Sequence, residues 1–267
     1  MTSLVSWRGA IAQFGRSILQ WMAGWVRIVH FGAIILVLAV TPSTYGAANR
    51  AAMARHIYLD TVPVLLSFTV MTAVFSLVLS RIVVVTALSY GLTRYAIEMV
   101  IRVLVLELLP LAAALFVALR CTIPSGSELA RLRRRGEIDA MAVTGVDPRV
   151  REVLPRVMGG MVATLTLAAV SSVGAMVLSY LAMYGFTLSG LVGYTRMFGQ
   201  VFTPAVAIIF MFKTLFFSLT VSLVPMASAM QDHRAGDHRT SAELRALVRM
   251  FAVVLAIEVV ALVGNYS

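Results

Sequence analysis

Residues 125–156 read SGSELARLRRRGEIDAMAVTGVDPRVREVLPR and form the longest charged passage of an otherwise apolar sequence. Ser125 is followed three residues later by Glu128, the spacing of a capping box, so a helix is predicted to begin at Ser125. That helix carries a run of arginines, and long hydrophobic segments lie on both sides of the passage.

The second half of this passage is divided by two glycines. Gly136 interrupts the first helix, and a second short helix is predicted over residues 137–143. Gly145 ends it, and Asp147-Pro148 fits the N-cap and first position of the next long helix. Two short polar helices between membrane segments indicate a contact with a partner in water. The alternative interpretation is a solvated loop that only orients the protein in the membrane.

The composition excludes an ordinary soluble domain. Hydrophobic residues make up 60% of the 267 residues, and the mean hydropathy is +0.91. The net charge of +10 comes almost wholly from arginine, since Lys213 is the only lysine. Because the arginines concentrate between apolar runs, they indicate membrane topology and contact with anionic lipid rather than nucleic acid. The single cysteine, Cys121, leaves no disulfide within the chain.

Residues 1–60 are predicted to form an amino-terminal region outside the main membrane domain. A helix over 5–27 has a stripe of apolar residues on one side and arginines and glutamines on the other. This pattern is typical of a helix in the membrane interface. Residues 31–40 are too few to span a bilayer and are predicted to form an elbow that dips into one leaflet. A polar connector follows over 41–60. The stripe consists of Trp7, Ile11, Phe14, Ile18, Trp21 and Trp25.

Residues 61–267 are predicted to form an all-α membrane domain of five spans. Each of five apolar segments is long enough to cross a bilayer. The arginines alternate correctly only if the amino terminus is cytoplasmic and the carboxyl terminus is outside, which makes 120–156 a cytoplasmic loop. The spans are 61–86, 97–119, 157–184, 201–229 and 247–264.

No motif for catalysis or nucleotide binding is present. The sequence has no GxxxxGK[ST] loop, no HExxH and no nucleophile elbow, so we predict no enzyme activity, no catalytic residues and no metal site. His233, Asp237 and His238 fit a solvated linker better than a metal cluster.

Five charged residues fall inside the predicted spans, where such groups are costly. Glu98 and Arg102 stand one helical turn apart and are predicted to form a local ion pair. Glu107, Lys213 and Glu258 lie deeper. Their mutual pairing as a structural device and a direct role in handling cargo remain equally open.

The charged passage resembles the signature of the MlaE/YrbE permeases, the membrane subunits that accompany MCE proteins in ABC-type lipid transporters. The resemblance rests on Glu128, residues 137–141, Gly145 to Pro148, and Pro155-Arg156. It extends to 107–110, Arg120, Lys213 with Phe216 and Phe217, and Glu258, and covers roughly residues 55–264. The chain departs from the family pattern at 119–123, at 75–77 and in the linker at 231–240.

This resemblance implies a bacterial inner-membrane homodimer with two partner ATPase subunits, which would hold ATP and Mg²⁺, and an MCE-protein ring on the outer side. This chain itself would carry no cofactor. The implied cargo is glycerophospholipid. The absence of a nucleotide motif beside a folded polar loop agrees with an ATPase that docks on that loop. The predicted coupling residues are Glu128, Arg131, Glu137, Asp139 and Asp147.

A lipid permease needs an apolar cavity for acyl chains. The first and fifth spans offer long apolar surfaces, and we expect the dimer interface to enclose lipid and to open toward the MCE partner. The predicted lining includes Leu65, Phe68, Phe75 and Leu79.

Two other classes remain open. One is a secondary transporter or channel that works alone, with Glu107, Lys213 and Glu258 as an ion or proton relay. The other is a membrane anchor without transport activity. Co-purification separates the classes, because only the ABC-type permease needs a stoichiometric ATPase.

Overall fold

The computed structural model describes residues 22–91, 95, 98–230 and 239–266, and these residues form helices joined by short turns. Six of the described helices, α1, α2, α3, α5, α7 and α8, are long and apolar enough to cross a membrane by length and composition. The predicted all-α membrane class is therefore confirmed. The helices are α1 (Met22–Val40), α2 (Ala47–Ser89), α3 (Val100–Arg134), α4 (Glu137–Val143), α5 (Arg149–Tyr184), α6 (Leu191–Val201), α7 (Pro204–Ala229) and α8 (Arg239–Tyr266).

The number of membrane spans stays a prediction. Each of the five predicted spans falls largely within a long helix, but α1 also satisfies the length and composition of a span with its 19 residues. Most of the amphipathic stripe predicted over 5–27 lies outside the described residues. The division of the chain at residue 60 likewise stays a prediction.

The helix predicted to begin at Ser125 is part of a much longer one, so the predicted cap is wrong. α3 is continuous from Val100 to Arg134, and Ser125 lies inside it. Pro124 does not end the helix, although a proline removes one backbone hydrogen bond. The turn just before it, Ala118–Thr122, has the wider hydrogen bonding of a π-helix and accommodates the interruption.

The connector predicted over 41–60 is shorter than expected. A single 3₁₀ turn, Pro42–Thr44, separates α1 from α2, and α2 begins at Ala47. Arg50, Arg55 and Asp60 are therefore helical. At 43 residues α2 is about 65 Å long, roughly twice the thickness of the hydrocarbon layer.

The centre of the protein is built on α2 and α5, the most extensively packed pair of helices. Glycines on α5 let other helices approach closely. A Cβ atom at Gly160 would lie 2.6 Å from Thr122 of α3 and 2.7 Å from Ser222 of α7. At Gly159, a Cβ atom would collide with the carboxylate of Asp60 on α2. Any larger residue at either position would push these helices apart.

Candidate functional site

The charged loop between α3 and α5 is folded as a pair of short polar helical segments, the last turns of α3 and α4. Gly136 and Gly145 both adopt left-handed backbone conformations, with φ of 73° and 78°. Residues with a side chain rarely adopt this conformation, which explains why the chain turns at these two points. The predicted division of the loop by its two glycines is confirmed.

The start of α5 is capped as predicted. The Asp147 carboxylate accepts a hydrogen bond from the backbone N–H of Arg149 at 2.9 Å, and Pro148 follows the cap directly. A capping carboxylate satisfies one of the free N–H groups at a helix start and interacts favourably with the helix dipole.

Arg156 of α5 is the centre of an ion-pair network beneath the loop. Its side chain is 5% exposed, and its guanidinium pairs with the Glu152 carboxylate one turn earlier and lies 4.0 Å from the Glu128 carboxylate of α3. Nη1 also donates to the Glu152 carbonyl at 2.6 Å. The charge of Arg156 acts in addition on His56 and Asp60 of α2. Arg156 thus links α3 and α5 at the base of the loop, on the side that faces α2.

Sequence reasoning gave Arg156 no role of its own. The signal that could have found it is the i, i+4 spacing of Glu152 and Arg156, which is typical of an ion pair on one helix face. The contact with Glu128, which belongs to another helix, has no such local signal.

The loop is also fixed to α7 and α1. The Arg133 guanidinium donates to the carbonyl of Met230 at the end of α7, and a Cβ atom at Gly126 would lie 3.2 Å from the Pro225 carbonyl oxygen. Leu129 of α3 and Ile138 of α4 are buried in one apolar cluster. That cluster also contains Ile35 of α1, so one face of the loop belongs to the protein core.

The opposite face of the loop is open. Four of the five predicted coupling residues are exposed, and the fifth, Glu137, is half-buried with its carboxylate 3.7 Å from the Arg135 guanidinium. Val143, at the end of α4, is 87% exposed. The exposed coupling residues are Glu128, Arg131, Asp139 and Asp147.

The three deep intramembrane charges meet in one cluster. Lys213 of α7 pairs with the Glu107 carboxylate of α3, and its Nζ lies 2.9 Å from the Glu258 carboxylate of α8. Nζ also donates to the Leu106 carbonyl at 3.1 Å. The Asn265 amide donates to Glu107 at 3.2 Å. The exposed fractions of the Lys213, Glu107 and Glu258 side chains are 1%, 10% and 12%, so the cluster ties three helices together away from water.

The shallower pair is also present. The Arg102 Nε lies 3.0 Å from the Glu98 carboxylate, and both side chains are partly exposed. The predicted local ion pair is confirmed.

The four predicted cavity residues do not share one surface within this chain. Phe68 is fully buried, with its ring centroid 5.0 Å from that of Phe116 on α3, and Leu65 is half-buried in the same cluster. Leu79 is half-buried in a different cluster. Phe75 is 49% exposed. Their role as the lining of a lipid cavity stays a prediction, and of the four only Phe75 presents a large surface to the outside.

The charged loop and the Lys213 cluster both lie within the part of the chain that matches a known protein family. A family model described as Permease MlaE matches residues 53–263, which is most of the chain. The chain belongs to the MlaE permease family. The match runs from α2 to the last turns of α8 and includes both the charged loop and the Lys213 cluster. MlaE permeases are membrane transport subunits, and the membership predicted from the charged passage is confirmed. A comparison with curated proteins gives no match.

The described residues of this MlaE permease contain no group of three or more His, Cys, Asp or Glu side chains that could hold a metal ion. His233, Asp237 and His238 lie outside the described residues.

Proposed function

We propose that this chain is the membrane subunit of an ABC-type lipid transporter, which moves phospholipid between the bacterial inner membrane and an MCE-protein partner. The observation that carries the proposal is the charged loop. A polar loop that served only to connect two spans would not need to be folded, capped at Asp147 and fixed to three neighbouring helices.

The exposed face of the loop has the composition of a docking surface. It combines exposed carboxylates and arginines with Val143, an apolar side chain that is 87% exposed in a polar segment. An apolar centre surrounded by charged groups is the usual composition of a protein–protein interface. The partner that this surface fits is the ATPase, because the family is a transport family and the chain has no nucleotide motif.

The remaining parts of the proposal follow from the family. The chain would work as a homodimer with two ATPase subunits, and ATP and Mg²⁺ would be bound by those subunits. The MCE partner would sit on the outer side. The protein would lie in the bacterial inner membrane, with its amino terminus in the cytoplasm and its carboxyl terminus in the periplasm.

The test of the proposal is a charge reversal on α4. We expect Glu137→Arg with Asp139→Arg to abolish co-purification of the ATPase, because both carboxylates lie in the first turn of α4 on the loop. Like charges placed across an interface cost several kcal/mol. The measurement is affinity purification from membranes, with the partners identified by mass spectrometry.

The matched control is Arg196→Glu, a charge reversal at an exposed residue of α6, outside the loop. This variant should retain the ATPase, and both variants should insert into the membrane. An unchanged ATPase yield in the α4 variant would overturn the proposed docking surface.

The second candidate function is a transporter or channel that works alone. The observation in its favour is the Lys213 cluster, which brings three buried charges together. Purified chain that transports in vesicles without an ATPase would establish this alternative, and transport that depends on ATP and a partner would exclude it.

The lipid cavity is tested on α2. We expect Phe75→Arg to stop transport with little loss of folded protein, because Phe75 is half-exposed and an arginine there would put a charge into the acyl-chain path. Phe68→Arg is expected to prevent folding instead, since Phe68 is fully buried against Phe116. The measurement is phospholipid transfer by the reconstituted complex.

The control is Val173→Arg, at an exposed apolar position on α5. If Phe75→Arg transports as well as the unmodified protein, or if both variants fail equally, α2 does not line the path.

A further inference from the structure

The connection between α5 and α6, residues 185–190, folds back along α5 instead of rising away from it. α5 ends at Tyr184, and Gly185 turns the chain with a left-handed φ of 65°. The Tyr180 hydroxyl donates a hydrogen bond to the carbonyl of Thr187. The ring of Tyr184 lies against Gly190, where a Cβ atom would collide with it. The connection therefore rests on the last turn of α5.

A buried tyrosine holds α6 at the same depth as the end of α5. The Tyr194 hydroxyl donates to the Met176 carbonyl at 2.9 Å and lies 2.7 Å from the Ser179 hydroxyl. Met176 lies two turns before the end of α5, about 12 Å along the helix axis. A tyrosine side chain is shorter than this distance, so α6 stands beside the last turns of α5 and not above them. Val201, near the other end of α6, packs with Ile101 at the start of α3.

The depth of the connection in the membrane follows from the length of α5. Arg156 lies at the base of the charged loop, and from there to Tyr184 the helix is about 42 Å long. A bilayer with its headgroup layers is about 40–45 Å thick. The last turns of α5 therefore lie in the headgroup layer of the leaflet opposite the charged loop, the predicted outer leaflet. Any tilt of α5 would place them deeper.

The connection and the start of α6 present an apolar patch at this depth. Its three side chains are Phe186, Leu188 and Val192, which are 95%, 81% and 72% exposed. The connection rests on Tyr184, and helical spacing places Tyr184 on the same face of α5 as Val177, an exposed residue of the span. The patch therefore continues a face of α5 that lipid surrounds. At the boundary between headgroups and acyl chains the three side chains would be removed from water.

We propose that the connection between α5 and α6 inserts into the leaflet opposite the charged loop, with the apolar patch in contact with the upper acyl chains of bulk lipid. The bilayer is favoured over a protein partner as the occupant, because the contacts of the three tyrosines hold the patch at the depth of the lipid headgroups. The inference rests on the contacts of α5 and α6 alone and holds whether or not the chain couples to an ATPase.

The first test measures the surroundings of the patch in the full-length chain, reconstituted alone in phosphatidylcholine nanodiscs. In a Cys121→Ser background, Phe186→Cys or Val192→Cys carries NBD, a fluorophore that is sensitive to its environment. Lipids with a nitroxide on the upper acyl chain should quench NBD several-fold more strongly at these positions than at the control, Val143→Cys. Val143 is also an exposed apolar residue, but it lies in the charged loop. Iodide in the buffer should show the opposite preference.

Two outcomes would overturn the insertion. Iodide quenching at position 186 as strong as that at position 143 would show that the patch lies in water. Weak quenching by both iodide and nitroxide lipid would show that protein covers the patch, and in this preparation that protein would be a second copy of the chain.

The second test adds the same charge at two neighbouring positions of the connection. Leu188 and Ser189 are both exposed, so Leu188→Asp and Ser189→Asp would each have little effect on stability in water. If the patch is in the membrane, Leu188→Asp should lower the unfolding temperature in nanodiscs by several degrees, and Ser189→Asp should leave it nearly unchanged. Equal unfolding temperatures for the two variants would contradict the insertion. Neither test involves the ATPase or transport, so both succeed or fail independently of the proposed transporter.

Discussion

Replacing Lys213 with methionine is expected to destabilise the protein by about 3–5 kcal/mol, the usual effect of removing one partner from a buried ion pair. The variant would leave the carboxylates of Glu107 and Glu258 facing each other, 10% and 12% exposed, without their cation. The measurement is the unfolding of the purified chain in mixed micelles. Stability equal to that of the unmodified protein would show that the cluster is solvated and does not stabilise the fold.

A triple variant of the same cluster separates its two interpretations, a structural pairing of charges and a direct role in handling cargo. Lys213→Met combined with Glu107→Gln and Glu258→Gln removes all three charges and should restore most of the lost stability, since no uncompensated charge remains. Transport by this triple variant would show that the charges serve only to pair α3, α7 and α8. A triple variant that is folded and assembled but inactive would assign them to cargo.

Replacing Arg156 with methionine is the second large effect that we expect. Its guanidinium is bonded to Glu152 and close to Glu128, and its side chain is almost fully buried. The two carboxylates are 21% and 50% exposed and can be hydrated, so the expected loss is about 2–3 kcal/mol, near the lower end for buried pairs. The measurement is again unfolding of the purified chain.

A second readout separates support of the loop from general stability. We expect the ATPase to co-purify with the Arg156→Met variant but to hydrolyse ATP without matching lipid transfer, because the loop has lost its link to α5. Arg151→Met, five residues earlier and exposed, is the matched control and should behave normally. If lipid transfer still matches ATP hydrolysis in the Arg156→Met variant, Arg156 is not a positioning residue for the loop.

The sequence predicts the fold of the loop well where the structure depends on local backbone chemistry. Gly136, Gly145 and Asp147 each act through their own conformation or a bond to a residue two positions away. Ser125 shows the limit of this reasoning. The capping-box spacing is present, but a cap forms only where a helix begins, and α3 passes through Pro124 by way of a π-helical turn.

The contacts that build the two charged sites could be predicted only in part. Glu98 with Arg102 follows from helical spacing, whereas Lys213 meets residues from two other helices more than forty positions away. Charge in an apolar segment indicates that a partner must exist, but it does not say which one.

The burial of Phe68 also could not be predicted from the sequence. α2 is apolar on nearly every side between residues 61 and 86, so its hydrophobic pattern does not distinguish the face that packs on α3 from the face that meets lipid. In a membrane, both environments select the same residues.

The length of α2 has a mechanical consequence. Its first turns lie at the base of the charged loop, where Met53 packs with Leu129 and Ile138, and its last turns lie about 65 Å away on a single helix. Pro63 removes one backbone hydrogen bond partway along α2 and allows the helix to bend there, so α2 acts as a lever whose pivot is at Pro63. A tilt of about 10° of the segment of about 40 Å beyond Pro63 would move its far end by about 7 Å. A movement at the base of the charged loop would therefore reach the far end of α2 as a displacement of several ångströms.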